Sequence, residues 1–131
     1  MELKRKEFTY RGKTLEELKA LDVREFAKYL KSGERRAVLR QFQDIEKFVS
    51  RLKEKISKDK KLRTHKRDII IVPGMVGMKI QIYDGHGFIP IEITGEMLGH
   101  RLGEFALTRK KVSHGEAGIG ATKGSKAKAK K

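Results

Sequence analysis

Five consecutive side chains, Arg63-Thr64-His65-Lys66-Arg67, concentrate hydrogen-bond donors in one short stretch. Arginine offers a planar fork that matches a phosphate, lysine a mobile point charge, and histidine a ring donor. The chemistry this pattern suits is the gripping of phosphate oxygens. Bond-making chemistry finds no comparable set. The histidines His65, His86, His100 and His114 are not paired at i, i+4, and there is no cysteine to complete a zinc site, so neither a metal nor a cofactor is expected. His86 falls in a glycine-flanked turn and reads as solvent-exposed. The other three lie close to Arg or Lys, which fits donors to phosphate. Glu92, Glu96 and Glu104 form no evident acid–base pair, and Ser50 and Ser113 have no base beside them. Gly74-Met75-Val76-Gly77 has the spacing of a KH loop, but it sits between two expected strands and lacks central basic residues. It reads as a plain connection. Gly118-Ile119-Gly120 follows no strand, and no P-loop is present. The chain reads as a binding protein and not an enzyme.

The charge agrees. In 131 residues, 32 Lys+Arg face 17 Asp+Glu, a net +15. Such a chain repels itself until an anion neutralises it, which points to a polyanion and above all to nucleic acid, and away from a small-molecule substrate. The excess is not uniform. Residues 1–31 carry 9 basic and 6 acidic side chains, and residues 32–67 carry 13 and 5. Residues 68–107 reverse to 2 and 5, and residues 108–131 return to 8 and 1. Cationic segments therefore flank a weakly acidic, apolar-rich centre. Aromatic residues are 7% and fall mostly at core positions, so no base-stacking platform is visible, and binding should rest on phosphate and RNA shape. No apolar run approaches the length of a bilayer span, and Met1–Arg11 lacks the apolar stretch of a secretory signal.

The elements that must position these groups follow from periodicity. Thr14 with Glu17 has capping-box spacing ahead of Leu15, Leu18 and Leu21, and Asp22 can cap a second short helix with Phe26, Tyr29 and Leu30 on one side. Ser32-Gly33 interrupts this pair. Ile45, Phe48, Val49, Leu52 and Ile56 predict a longer helix over about Asp44–Lys58, with Lys47, Arg51, Lys53, Lys55 and Lys58 on its other face. Ile69–Val72 is a continuous apolar run that suits a covered strand. Residues 79–83 and 88–93 alternate around Asp84-Gly85-His86-Gly87 and predict an antiparallel hairpin, with Pro90 at an edge or a non-bonded position. Thr94 can cap a last helical turn through Met97, Leu98, Leu102 and Phe105. Gly95, Gly99 and Gly103 within that stretch ask for a close backbone approach as their reason. The sum is an α+β fold: N-terminal helices, a small, mostly antiparallel three-stranded sheet, and a disordered basic C-terminal tail. The tail, Ala121–Lys131, has no large apolar residue to offset its ordering entropy.

At this point the residues resemble a known family, the universal small-subunit ribosomal protein designated nineteen. The likeness is carried by Arg63–Arg67, Ile70–Pro73, Met75–Gly77, Lys79–Gly85, Phe88–Ile91, Ile93-Thr94, Met97–Ala106 and Thr108-Arg109. The most specific piece is Gly99-His-Arg-Leu-Gly-Glu-Phe-Ala106. Phe8–Gly12 and Gly118–Thr122 are similar to the archaeal and eukaryotic branch, and the Lys-rich ending to its archaeal members. The resemblance implies a structural constituent of the small-subunit head, cytoplasmic in the ribosome, that binds rRNA beside the protein designated thirteen. It also implies a tail running toward the decoding region and aminoacyl-site tRNA. The expected division is an N-terminal helical extension 1–41, an rRNA-binding core 42–112 and a flexible tail 113–131. The expected rRNA contacts are Arg63, His65, Lys66, Arg67, Lys79, His100, Arg101, Arg109, Lys110, Lys111 and His114. Lys123, Lys126, Lys128, Lys130 and Lys131 would act in the tail. The alternative that the same charge pattern allows is a basic nucleic-acid-binding or architectural protein outside the ribosome.

Overall fold

Thr14 and Glu17 close the capping box that their spacing predicts. The Thr14 hydroxyl accepts from the Glu17 amide at 3.4 Å, and the Glu17 carboxylate accepts from the Thr14 amide at 3.3 Å. This starts α1 (Leu15–Ala20). The computed structural model describes residues 6–113, 118 and 122–124. Ahead of α1, β1 (Thr9–Tyr10) and β2 (Lys13–Thr14) pair antiparallel around Arg11 and Gly12, both at positive φ. Two-residue strands leave no alternation to read, so this ribbon is invisible in the sequence. In α2 (Val23–Ala27) the Glu25 carboxylate accepts from the Asp22 amide at 3.3 Å.

The long helix α3 covers Ser32–Ser57 and extends the expected helix by about three turns toward the N-terminus. Ser32-Gly33 opens it instead of marking a break, because glycine is harmless in a first turn whose amides have no helical partner. One residue, Gln41, departs from helical geometry (φ −113°, ψ 15°) and kinks the helix. Arg35 ties α3 to α2: its guanidinium donates to the carbonyls of Ala27, Lys28 and Leu30, at the end of α2 and just beyond it. Val38, Ile45, Phe48 and Leu52 are buried. The apolar stripe stops there, since Ile56 in the last turn is 49% exposed.

The three-stranded sheet has the order β3-β4-β5, with β3 at Arg63–Thr64, β4 at Lys79–Tyr83 and β5 at Phe88–Glu92. The β4–β5 hairpin is antiparallel as its alternation predicts, and β5 is an edge, where Pro90 removes no ladder bond. The third strand is β3, parallel to β4, and not the Ile69–Val72 run. Those four residues are fully buried, yet they bond to a loop. The Ile71 amide donates to the His100 carbonyl at 2.8 Å, and the Leu102 amide to the Ile69 carbonyl at 3.0 Å. Ile70 and Arg101 form a single bridge. An unbroken apolar run reports burial on every side and does not by itself report a ladder. After β5 the chain makes two 3₁₀ turns, Gly95–Met97 and Leu102–Phe105, and Thr94 makes no side-chain cap.

One core joins Leu18, Phe26 and Leu30 of the N-terminal helices to the α3 stripe, the Ile69–Val72 run and the inward Ile80 and Ile82 of β4. The expectation of disorder falls on a tail, 113–131, that lies, save for Ser113, Gly118 and Thr122–Gly124, outside the described residues. Among the described residues no helix is long and apolar enough to cross a membrane.

Candidate nucleic-acid interface

The register of β3 decides what the Arg63–Arg67 run can do. Arg63 pairs with Gln81 and Thr64 with Ile82, so Thr64 turns inward and is buried while Arg63 faces out. The Thr64 hydroxyl accepts from the Lys66 amide at 3.0 Å and turns the chain out of the sheet. Arg63, His65 and Lys66 are all exposed. They share a groove of about 300 Å³ with Arg51 and Lys55, which stand one turn apart on α3, over an apolar side formed by Phe48 and Leu52. Two arginines, two lysines and an imidazole thus converge between α3 and β3. Among the described residues, no carboxylate lies within ion-pair distance of any of these four cations. Such a groove focuses positive potential and favours an anion.

The remaining expected contacts divide. Arg67 turns inward: its guanidinium donates to the carbonyls of Tyr83 (2.6 Å), Gly103 (2.8 Å) and Ala106. Gly103 is where that brace needs a bare backbone, since a Cβ there would stand 3.0 Å from both Arg67 Cβ and its carbonyl oxygen. Gly99 has φ +81° and lies against Leu30 and Tyr10. The close approaches these glycines serve come from the protein itself. Lys79 sits at the far end of β4, opposite Glu92, and lines a second recess with Lys60 and Lys61. His100 is held by Glu104, with Nδ1 at 2.7 Å from the carboxylate. Arg101 is exposed and donates to the Asp68 carbonyl at 3.1 Å. Arg109, Lys110, Lys111 and Lys123 are exposed. His114, Lys126, Lys128, Lys130 and Lys131 lie outside the described residues. Lys110 reaches the hairpin turn electrostatically. Asp84 there accepts from the amides of Gly87 (2.7 Å) and His86 (2.8 Å), and those bonds first, with the Lys110 charge adding, hold its carboxylate below the usual range against the opposing effect of burial. His86 is exposed, as its turn position implies.

Sequence reading missed two pairs of contributors to this surface. Arg51 and Lys55 were visible only as members of a charged helix face, and no local pattern says that this face looks onto β3. Tyr83 and Phe88 pair directly across the hairpin with Ile82 and Ile89 beside them, so both rings fall on the outer face of the sheet. The alternation of the hairpin carries that signal. The position of His65 next to them does not, because it depends on the parallel pairing of β3.

A small α+β body whose unpaired cations gather beside a sheet edge is the build of a basic nucleic-acid-binding protein. Comparison with known proteins sharpens this. Residues 30–114 match the family model described as Ribosomal protein S19. The small ribosomal subunit protein uS19 of Methanocella arvoryzae is 48% identical over 124 residues, covering 94% of this chain and 86% of that protein. That of Methanocorpusculum labreanum is 50% identical over 126 residues (96% and 90%), and that of Methanococcoides burtonii 46% over 120 (92% and 86%). The chain belongs to the ribosomal protein S19 family, and the archaeal relatives agree with the branch its residues resemble. As a member it is a structural ribosomal protein, not an enzyme, and works in the cytoplasm within the ribosome.

Proposed function

We propose that this protein holds small-subunit rRNA in the head of the subunit by neutralising phosphates along the groove between α3 and β3. The observation that carries the reading is the convergence of Arg51, Lys55, Arg63 and Lys66 with no carboxylate partner among the described residues. His65, Lys79, His100, Arg101, Arg109, Lys110 and Lys111 extend the contact surface, and His114 is expected to join them. Arg67 supports it from inside by fixing the segments on which the others stand. Residues 1–41 act as an extension joined to the core 42–112. The tail 113–131, with Lys123, Lys126, Lys128, Lys130 and Lys131, is directed toward the decoding region and aminoacyl-site tRNA. The neighbouring protein designated thirteen is the expected protein partner.

The test is binding to small-subunit rRNA across salt. Six to ten phosphate contacts predict a loss of roughly 10³–10⁵ in affinity between about 50 and 200 mM salt. Replacing Arg51 and Lys55 together by Gln lowers the logarithmic salt slope by about two. A flat salt response refutes the mechanism. In cell extracts the protein sediments with small subunits at moderate salt, and a free pool alone would refute the ribosomal placement.

A further inference from the structure

The outer face of the sheet carries a group of rings that phosphate neutralisation does not explain. Strand alternation sends Ile80 and Ile82 of β4 into the core and places Tyr83, with its partner Phe88, on the opposite face. The parallel register of β3 brings His65 alongside. The His65 ring centroid is 4.6 Å from that of Tyr83 and 5.2 Å from that of Phe88, and Tyr83 and Phe88 are 5.3 Å apart. Their interplanar angles, 50°, 78° and 52°, are tilted or edge-on. No two of these rings stack in parallel on each other, so their mutual contacts use edges more than faces. Tyr83 and Phe88 are half-buried and His65 is exposed, so His65 is the outward member. The Arg63 guanidinium lies 5.1 Å from the Phe88 centroid, and its Nε donates to the Gln81 side chain at 2.9 Å. That bond fixes the fork beside the rings and leaves its terminal nitrogens for a phosphate.

We infer that His65, Tyr83 and Phe88 form a seat for one unpaired RNA base, which stacks on the His65 ring while Arg63 and Lys66 take its phosphate. The inference rests on the rRNA-binding reading above and adds a base contact to it. The physical grounds are that rings on a solvent-facing sheet, flanked by cations, bind single-stranded nucleotides by stacking, and every base has a face to offer. A folded protein partner would also cover apolar rings. The flanking Arg63 and Lys66, in a groove that also holds Arg51 and Lys55, favour the polyanion.

The experiment compares full-length His65→Ala, His65→Phe and His65→Lys with the unaltered protein for binding to a full-length small-subunit rRNA transcript. Salt titrations and chemical probing of unpaired bases accompany the binding curves, and melting curves confirm the fold of each variant. The Ala variant is expected to bind about 5- to 150-fold more weakly with an unchanged salt slope. The Phe variant, a ring without charge, should stay within about threefold of the unaltered protein, because stacking needs only a π-face. The Lys variant should fall with Ala despite its added charge. One unpaired base should be protected by the unaltered and Phe forms and reactive with Ala. Equal binding by Ala, rescue by Lys but not Phe, or no base protected in this way would each overturn the seat, the first two leaving phosphate binding intact. Failure of the unaltered protein to bind the transcript would instead overturn the reading on which the seat rests.

Discussion

Arg67 is the residue on which a structural and an RNA-contacting role can be separated most cleanly. Its guanidinium is the shared donor for three carbonyls that come from two distant stretches, the end of β4 and the 3₁₀ turn at Leu102–Phe105 with Ala106 just after it. Hydrogen bonds to a charged group are worth about 1.5–3 kcal/mol each. Their simple sum overstates the loss here, because Arg67 is only half-buried and water can reach the carbonyls it leaves. Replacement by Ala should therefore destabilise the fold by about 3 kcal/mol, a large share of the roughly 5–15 kcal/mol a domain has. Lysine keeps the charge but loses the planar fork, and one ammonium cannot serve three carbonyls in that geometry, so Arg67→Lys should still cost about 1.5 kcal/mol. In a domain of this size that lowers the melting midpoint by roughly 5–7 °C. The assay is thermal melting of both variants, with RNA affinity measured well below their midpoints. If Arg67→Lys melts like the unaltered protein and loses RNA affinity, the brace is refuted and Arg67 belongs among the phosphate contacts.

Two further outcomes follow from the same region. Gly103→Ala places a methyl 3.0 Å from Arg67 Cβ and its carbonyl oxygen, and should destabilise by about 1–3 kcal/mol in thermal melts; an unchanged midpoint would show that the brace can shift. Asp84 has a folded-state pKa held below its ordinary value, so the stability it contributes is present above that ordinary value and is lost as pH falls through the depressed one. Asp84→Asn should therefore melt below the unaltered protein at neutral pH, with the gap closing as the buffer is taken below about pH 4; a gap independent of pH would contradict this.

What the sequence revealed, and what it hid, is clearest in the pentapeptide from Arg63 to Arg67. Its donor density was legible and suggested a phosphate grip, and the hairpin beside it was legible because alternation is a local signal. The two arginines nevertheless do different work, and nothing local distinguishes them. Arg63 lies in β3, where pairing with Gln81 fixes it on the outer face among the rings and cations. Two residues after Thr64 the chain has left the sheet, and Arg67 meets carbonyls that arrive from 16, 36 and 39 residues further along. The same distance in sequence hides the fate of Ile69–Ile71, whose backbone partners lie in the Gly99–Leu102 loop and not on a strand. Gly103 follows that loop directly, and its bare backbone is what admits Arg67. The weakly acidic centre of the chain thus does more than fill a core. By drawing Arg67 inward and setting the register of β3, it determines which of the neighbouring cations remain exposed.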